Sequence, residues 1–273
     1  MKSIFILVIS GTFLFFGCKQ ISQQESDLSE LLRKGKWIDL TYPFSEQTLY
    51  WPASTTSFKL DTVFNGMAEG GYFYCANNFS APEHGGTHVD APAHFAKGKN
   101  SVDEIPFDHL NGTAVVIDVS TKVKSNPDYL IGRGDLDAWE KENGQIPDGD
   151  IIIFRTGYGK YYPDAKKYFG TDQRGQAAVA LLHFPGIDPE AARWLVKDRN
   201  ISAVGLDTPS IDYGQSKTFE THRILLGENI PAFENLANLD QLPATGVYIF
   251  AMPMKIKGGS GAPLRIMAWV RKK

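Results

Sequence analysis

Cysteine is nearly absent from this chain of 273 residues: only Cys18 and Cys75 occur. A disulfide framework is therefore excluded, and stability must come from a hydrophobic core. Excess charge is missing as well. Twenty-eight Lys+Arg face 31 Asp+Glu, a formal net charge of −3, which offers no basic footprint for nucleic acid. Internal repeats and low-complexity linkers are lacking after the N-terminal segment. The length allows one large domain or two small ones, and without a linker one is favoured. Hydrophobic residues at 42% and charged residues at 22% are ordinary for a globular protein.

A long apolar run occurs once. Ile4 to Phe16 is mostly apolar over thirteen residues, with Lys2 before it and Gly17-Cys18 after it. It is too short to span a bilayer comfortably and reads as an export signal. Its end, Leu14-Phe15-Phe16-Gly17-Cys18, resembles a bacterial lipoprotein signal, in which the cysteine becomes the lipidated first residue. Phe15 and Phe16 depart from that pattern, which leaves a plain secretory signal or an uncleaved anchor as alternatives. The expectation is a signal over residues 1–17, lipidation at Cys18, a polar tether over 18–30 and a folded domain over 31–273. The protein would be exported and lipid-anchored to a bacterial membrane, facing the periplasm. Cys75, left without a partner, is expected to be a buried thiol with no base or cation near it in sequence.

Runs rich in β-branched and aromatic residues predict strands over Trp37 to Leu40, Tyr72 to Phe79, Ala114 to Val119, Asp150 to Arg155, Ala203 to Leu206, Val247 to Met252 and Leu264 to Val270. Helical spacing is rarer. It appears over Leu136 to Asn143, over Pro189 to Lys197 with Asp188 as N-cap, and over Glu220 to Leu226. The fold class is α/β or α+β, with a sizeable sheet.

The densest chemistry lies in His84-Gly85-Gly86-Thr87-His88-Val89-Asp90-Ala91-Pro92-Ala93-His94-Phe95, which holds three of the six histidines. Imidazole and carboxylate are the usual ligands of zinc and manganese. Gly85, Gly86 and Pro92 make a regular helix unfavourable. In an extended chain His88 and Asp90 share a face roughly 6.6 Å apart, whereas His84 would lie about 13 Å from His88 unless the glycines curl the chain. Asp90 taken alone is as well explained by capping a turn that begins at Pro92, and each histidine alone by an ordinary hydrogen bond. The cluster has no such packing explanation and points to a metal site. Downstream, Glu220 to Leu226 carries His222 and the segment Ile230 to Leu236 carries Glu234. Either could be a solvated residue, or could complete the coordination left open by the first cluster.

The run His84 to Phe95 resembles the HxGTHxDxPxHF signature of the metal-dependent cyclase family, which includes bacterial kynurenine formamidases and isatin hydrolases. The likeness extends to Asp39-Leu40-Thr41, Tyr50-Trp51-Pro52, Val204 to Ser210 and His222 to Leu236. It implies a swivelling β/β/α single domain with a mixed sheet core, usually dimeric. It also implies one or two divalent ions, Zn2+ or Mn2+, held by His84, His88, Asp90, His222 and Glu234, with Asp90 and Glu234 as bridging carboxylates. His94 takes the catalytic histidine position, and Trp51 an aromatic place in the substrate pocket. The implied activity is hydrolysis of a C–N bond in a small, aromatic amide, as in an arylformamidase, by ion-activated water without a protein nucleophile. The sequence neighbours Tyr72, Phe73 and Tyr74 could help receive an aryl group, and Thr87 could orient a ligand or water. A lactam or lactone hydrolase, or a metal-binding lipoprotein without turnover, is the alternative.

Overall fold

Three segments, Val115-Val116-Ile117, Ile151-Ile152-Ile153-Phe154 and Ala203-Val204-Gly205-Leu206, contain no polar side chain, and all of these positions are buried. Such runs suit strands covered on both faces. A computed structural model of the protein describes residues 29–271. The expected signal and Cys18 lie outside the described residues. Residues 29–34 are helical, and Trp37–Val270 forms one compact unit.

In chain order the strands are β1 (Lys36–Asp39), β2 (Lys59–Met67), β3 (Phe73–Ser80), β4 (His88–Asp90), β5 (Asn111–Asp118), β6 (Leu130–Ile131), β7 (Ile151–Arg155), β8 (Gly186–Ile187), β9 (Ala203–Leu206), β10 (Ala232–Glu234), β11 (Val247–Pro253) and β12 (Gly261–Val270). The helices are α1 (Ser120–Val123), α2 (Arg133–Asn143), α3 (Ala165–Phe169), α4 (Pro189–Arg199) and α5 (Glu220–Gly227). Strands pair in the order β12, β11, β5, β7, β9, β10, β4, and β4 pairs back to β12, closing a seven-stranded barrel. β1 joins the outer side of β12. The sheet is mixed: β5, β7, β9 and β10 run parallel, while β4, β11 and β12 pair antiparallel to their neighbours.

Alternation along the central strands divides two cores. Val116, Ile151, Ile153, Ala203 and Phe233 meet Ile249, Ala251, Leu264 and Ile266 inside the barrel. Val115, Ile117, Ile152, Phe154, Val204 and Leu206 face outward, against Leu136 and Trp139 of α2, Leu195 of α4 and Leu225 of α5. At about 25 cal/mol per Å2 of apolar surface removed from water, these two clusters carry most of the folding free energy.

All seven predicted strands and all three predicted helices are present, displaced by a few residues at their ends. Asp188 caps α4 by accepting the Glu190 N–H at 2.7 Å, with Pro189 in the first turn and Asn200 left-handed after the last. Cys75 corrects an expectation: it is exposed, because β3 belongs to a two-stranded sheet with β2 that buries almost nothing. Among the described residues no helix is long and apolar enough to cross a membrane.

Candidate metal centre and substrate pocket

The site begins with a turn only glycine can make. Gly85 and Gly86 have φ of +149° and +56°, conformations that disfavour a side chain. A Cβ at Gly85 would stand 2.1 Å from Cδ1 of Tyr50. The turn brings His84 back over β4, as the expected curling requires. His88 and Asp90, two residues apart on β4, then share one face. The β10 register sets Glu234 opposite His88 and Ala232 opposite Asp90, so Glu234 joins that face, while Val89 and Phe233 point into the barrel core. His222 arrives from the buried side of α5. The pairing with β12 places Gly261 beside Asp90, where a Cβ would lie 2.4 Å from Cε1 of His84.

All five expected ligands converge. His84 Nδ1 is 2.7 Å from Asp90 Oδ1, and His88 Nε2 is 3.2 Å from the same oxygen and 3.5 Å from Glu234 Oε2. His222 Nε2 is 3.2 Å from Asp90 Oδ2 and 3.4 Å from Glu234 Oε1. Two groups, His84–His88–Asp90 and Asp90–His222–Glu234, each gather their donor atoms within 4.8 Å and share Asp90. Asp90 makes no side-chain cap to the short 3-10 turn Pro92–His94, whose cap residue is Ala91, so the simple turn explanation of Asp90 fails.

Hydrogen bonds behind the histidines test whether a cation fits. His88 donates Nδ1–H to the Gly86 carbonyl at 3.0 Å, and His222 donates Nδ1–H to Asp212 Oδ2 at 2.6 Å. Both Nε2 lone pairs are thereby aimed at carboxylate oxygens, which have no proton to give. A cation among them, or a proton on each ring, resolves that opposition. The donor set therefore fits a divalent metal, with its imidazoles held by the partners expected behind metal ligands. Without one, burial works against charge on His88 and His222, but their carboxylate neighbours prevail and raise both, His222 well above the imidazole range. Burial likewise opposes ionisation of Asp90, and the surrounding imidazoles nevertheless hold it well below the carboxylate range. Glu234 is raised by burial and by the charge of Asp90.

His94 stands apart from the donors. Its ring stacks on His84 with centroids 3.8 Å apart, and burial pushes it down to about 4, helped by the neighbouring imidazoles and opposed by Asp90. It is neutral near pH 7, and both ring nitrogens are without a hydrogen bond to any described residue. A cavity of about 280 Å3 opens beside it, walled by Leu49, Trp51, Phe95, Phe169 and Phe219 with the His/Asp/Glu cluster on its floor. Trp51 packs 6.3 Å from Phe219, so it lines the pocket as expected. Tyr72, Phe73 and Tyr74 do not: they are exposed on the β2–β3 hairpin. The Thr87 hydroxyl is also committed elsewhere, donating to the Asn235 carbonyl at 2.7 Å and accepting the Tyr42 N–H at 3.0 Å.

Sequence reasoning passed over several residues. Asp212 holds His222 and also accepts its backbone N–H at 3.1 Å. Ser260 lies 2.9 Å from His84 Nε2 and donates to Glu83 Oε2 at 2.7 Å. Ile211 donates its backbone N–H to Glu234 Oε1 at 2.8 Å. Asp212 stands two residues beyond the segment Val204 to Ser210, and Ser260 lies in the glycine-rich turn Gly258-Gly259-Ser260-Gly261; those were the available signals.

Residues 38–213 match a family model described as putative cyclase. The chain is 33% identical over 210 residues to an isatin hydrolase of Roseibium aggregatum, covering 74% of this chain and 77% of that protein. It is 30% identical over 229 residues to a kynurenine formamidase of Salinibacter ruber, covering 84% and 94%. The solved structure of isatin hydrolase A from Ralstonia solanacearum superposes with a TM-score of 0.78 at 34% identity, over 96% of this chain and 100% of that one. Matched in sequence and in fold over most of its length, the chain belongs to the cyclase family of metal-dependent hydrolases.

Proposed function

We propose that the protein hydrolyses a C–N bond in a small aromatic amide, with His84, His88, Asp90, His222 and Glu234 holding one or two divalent ions. The observation that carries this reading is the apolar aromatic cavity whose floor is the buried His/Asp/Glu cluster and whose wall includes the neutral ring of His94. Nitrogen and oxygen donors without thiolate suit zinc or manganese. A divalent ion bound there supplies positive charge that acidifies water and polarises an amide carbonyl.

The chain's own groups do the rest. Trp51, Phe95 and Phe219 hold the aryl group and exclude water from it. His94, neutral on arrival, takes a proton from the attacking water at a ring nitrogen and returns it to the departing amide nitrogen. Asp212 and the Ser260–Glu83 pair fix the directions of His222 and His84. The neutral His94 against the pocket supports catalysis over metal storage, which would give that residue no task.

An arylformamide and an isatin-type lactam both present an aryl amide carbonyl. The isatin hydrolases that the chain matches are 28%, 33% and 34% identical and the Salinibacter ruber formamidase 30%, so both substrate classes belong to the reading. The swivelling β/β/α description, a homodimeric state and a lipid anchor at Cys18 on a periplasm-facing membrane belong to the same reading. Metal analysis of the purified protein, with a hydrolysis screen across isatins, arylformamides and lactones, tests it. Metal-loaded protein inert toward all three classes would return it to a binding role.

A further inference from the structure

The outer face of β1, β12 and β11 is apolar and open to solvent. Ile38 on β1, Val247, Ile249 and Ala251 on β11 and Leu264, Ile266 and Ala268 on β12 point into the barrel core. Their neighbours in the strands therefore point outward: Trp37, Tyr248, Phe250, Met252, Met267 and Trp269. The register sets Tyr248 opposite Trp269 and Phe250 opposite Met267, and the rings of Trp37 and Tyr248 pack 5.3 and 4.8 Å from that of Phe250. Trp37, Tyr248, Met252 and, just past the end of β11, Met254 are 36–48% exposed, and the others are partly buried. At roughly 200 Å2 per large side chain, about a third of it exposed, these seven present on the order of 500 Å2. That matches the largest apolar patch of a typical soluble monomer, which is commonly functional.

Charge selects the occupant. Exposed Lys255 and Lys257 stand in the β11–β12 turn beside Met254. Asp39 is paired with Arg265 at 2.8 Å, and Asp103 accepts the Gly258 N–H of the turn at 2.8 Å. In sequence the face is bracketed by cations as well: Arg33-Lys34-Gly35-Lys36 runs directly into Trp37, and Arg271-Lys272-Lys273 follows Val270. Six cations at these two junctions stand out in a chain whose net charge is −3. An aromatic and methionine surface with basic flanks suits an anionic bilayer, where Trp and Tyr rings sit among the headgroups and Lys and Arg are drawn to acidic lipids. A second copy would set like charges against each other across a twofold axis. A glycan would ask for hydrogen-bonding side chains where Met252, Met254 and Met267 stand.

The place of the expected anchor points the same way. The stretch from Cys18 to Ser29 spans at most about 40 Å, and the chain then enters the compact unit at Trp37, so the part of that unit nearest the anchor in sequence belongs to this face. We propose that the outer face of β1, β11 and β12 lies on the anionic headgroups of the membrane that carries the protein, docking the folded unit instead of leaving it free on its tether. This rests on the lipid-anchored reading and gives the unit the surface with which it meets the bilayer. A tether that confines the face near the membrane lets a contact too weak to hold alone become the prevailing state.

The test uses the full chain reconstituted in vesicles of phosphatidylcholine with about a third phosphatidylglycerol, with brominated phosphatidylcholine as the quencher of tryptophan emission. Trp37 and Trp269 belong to the face, whereas Trp51 lines the pocket, Trp139 is buried against the barrel and Trp194 lies between Arg133 and Arg199. Quenching is expected in the wild type, and Trp37→Phe with Trp269→Phe should remove most of it. Lys255→Glu with Lys257→Glu should lower it at least about threefold, with far-ultraviolet circular dichroism and metal content unchanged, and pure phosphatidylcholine should lower the wild-type signal by a similar factor. An unquenched wild type, equal quenching in the two lipid mixtures, or quenching that survives loss of both tryptophans overturns the proposal. Emission that responds to protein concentration or to a chitooligosaccharide instead of to lipid gives the face to a second copy or a glycan, and overturns it too. Acyl labelling of Cys18 separates the anchor from the face. A labelled but unquenched chain keeps the anchor and loses the face, while an unlabelled chain with the full quenching pattern loses the lipid and keeps the face.

Discussion

Glu234 faces His88 directly across the β4–β10 pair, with Oε2 3.5 Å from Nε2. Two segments far apart in sequence thus form one ligand face through strand register, and His222 adds to it from α5. The two donor groups sharing Asp90 set the first prediction. Glu234→Ala and His222→Ala should each lower bound metal, or convert a two-ion site to one, by inductively coupled plasma analysis after dialysis. Full occupancy in both would leave the ions to the His84–His88–Asp90 group and make the downstream residues packing partners.

His84 is held in two ways, and they separate experimentally. Gly261 leaves space for the ring, since a Cβ there would overlap Cε1 at 2.4 Å; Ser260 fixes its direction through Nε2 at 2.9 Å. Gly261→Ala should displace His84 and cost about 1–3 kcal/mol of stability through overpacking. Ser260→Ala should leave the thermal midpoint nearly unchanged but weaken metal binding by roughly 10- to 100-fold, measured by competition with a chelating dye. Equal metal affinity in Ser260→Ala and wild type would reduce that bond to a surface contact.

Acid should act on the fold through His94. Burial holds its folded value down to about 4, against an ordinary value of about 6.5 in the unfolded chain. Between these values the unfolded state takes up a proton that the folded state refuses, so the contribution of His94 is complete above pH 6.5 and lost as pH falls through 4. Chelator-treated wild type should therefore lose stability more steeply over that window than His94→Phe, as read from urea midpoints at successive pH values. Parallel curves would mean that His94 titrates alike in both states.

Much of this was legible in the sequence because it depends on local pattern. The continuous apolar runs of β5, β7 and β9 mark strands buried on both faces, and Asp188-Pro189 marks the start of α4. The metal-binding segment was visible because its histidines are crowded between glycines and a proline. β4 and β10, with three residues each, are too short to show a period, although they carry the site. β2 went unread because a strand exposed on both faces has no buried side to impose alternation. The expected strand over Tyr72 to Phe79 is present as β3, shifted by one residue to Phe73–Ser80, but burial of Cys75 did not follow, since the hairpin lies on no core. Asp212 and Ser260 are single polar residues in loops, and only the closed barrel brings them behind His222 and His84.

Catalysis should depend on His94 as a proton carrier and not as a ligand. Its ring stacks flat on His84 at 3.8 Å, lines the pocket and is absent from both donor groups that could hold an ion. His94→Ala should therefore keep its metal and lower kcat by roughly 10² to 10⁴, the usual range for removing a positioned acid or base. KM should change little, because Trp51 and Phe219 still hold the aryl group. Loss of metal in the variant would make His94 a ligand. A metal-loaded His94→Ala enzyme with unchanged turnover on its best substrate would remove the proton-carrying role and leave the ring only its stacking on His84.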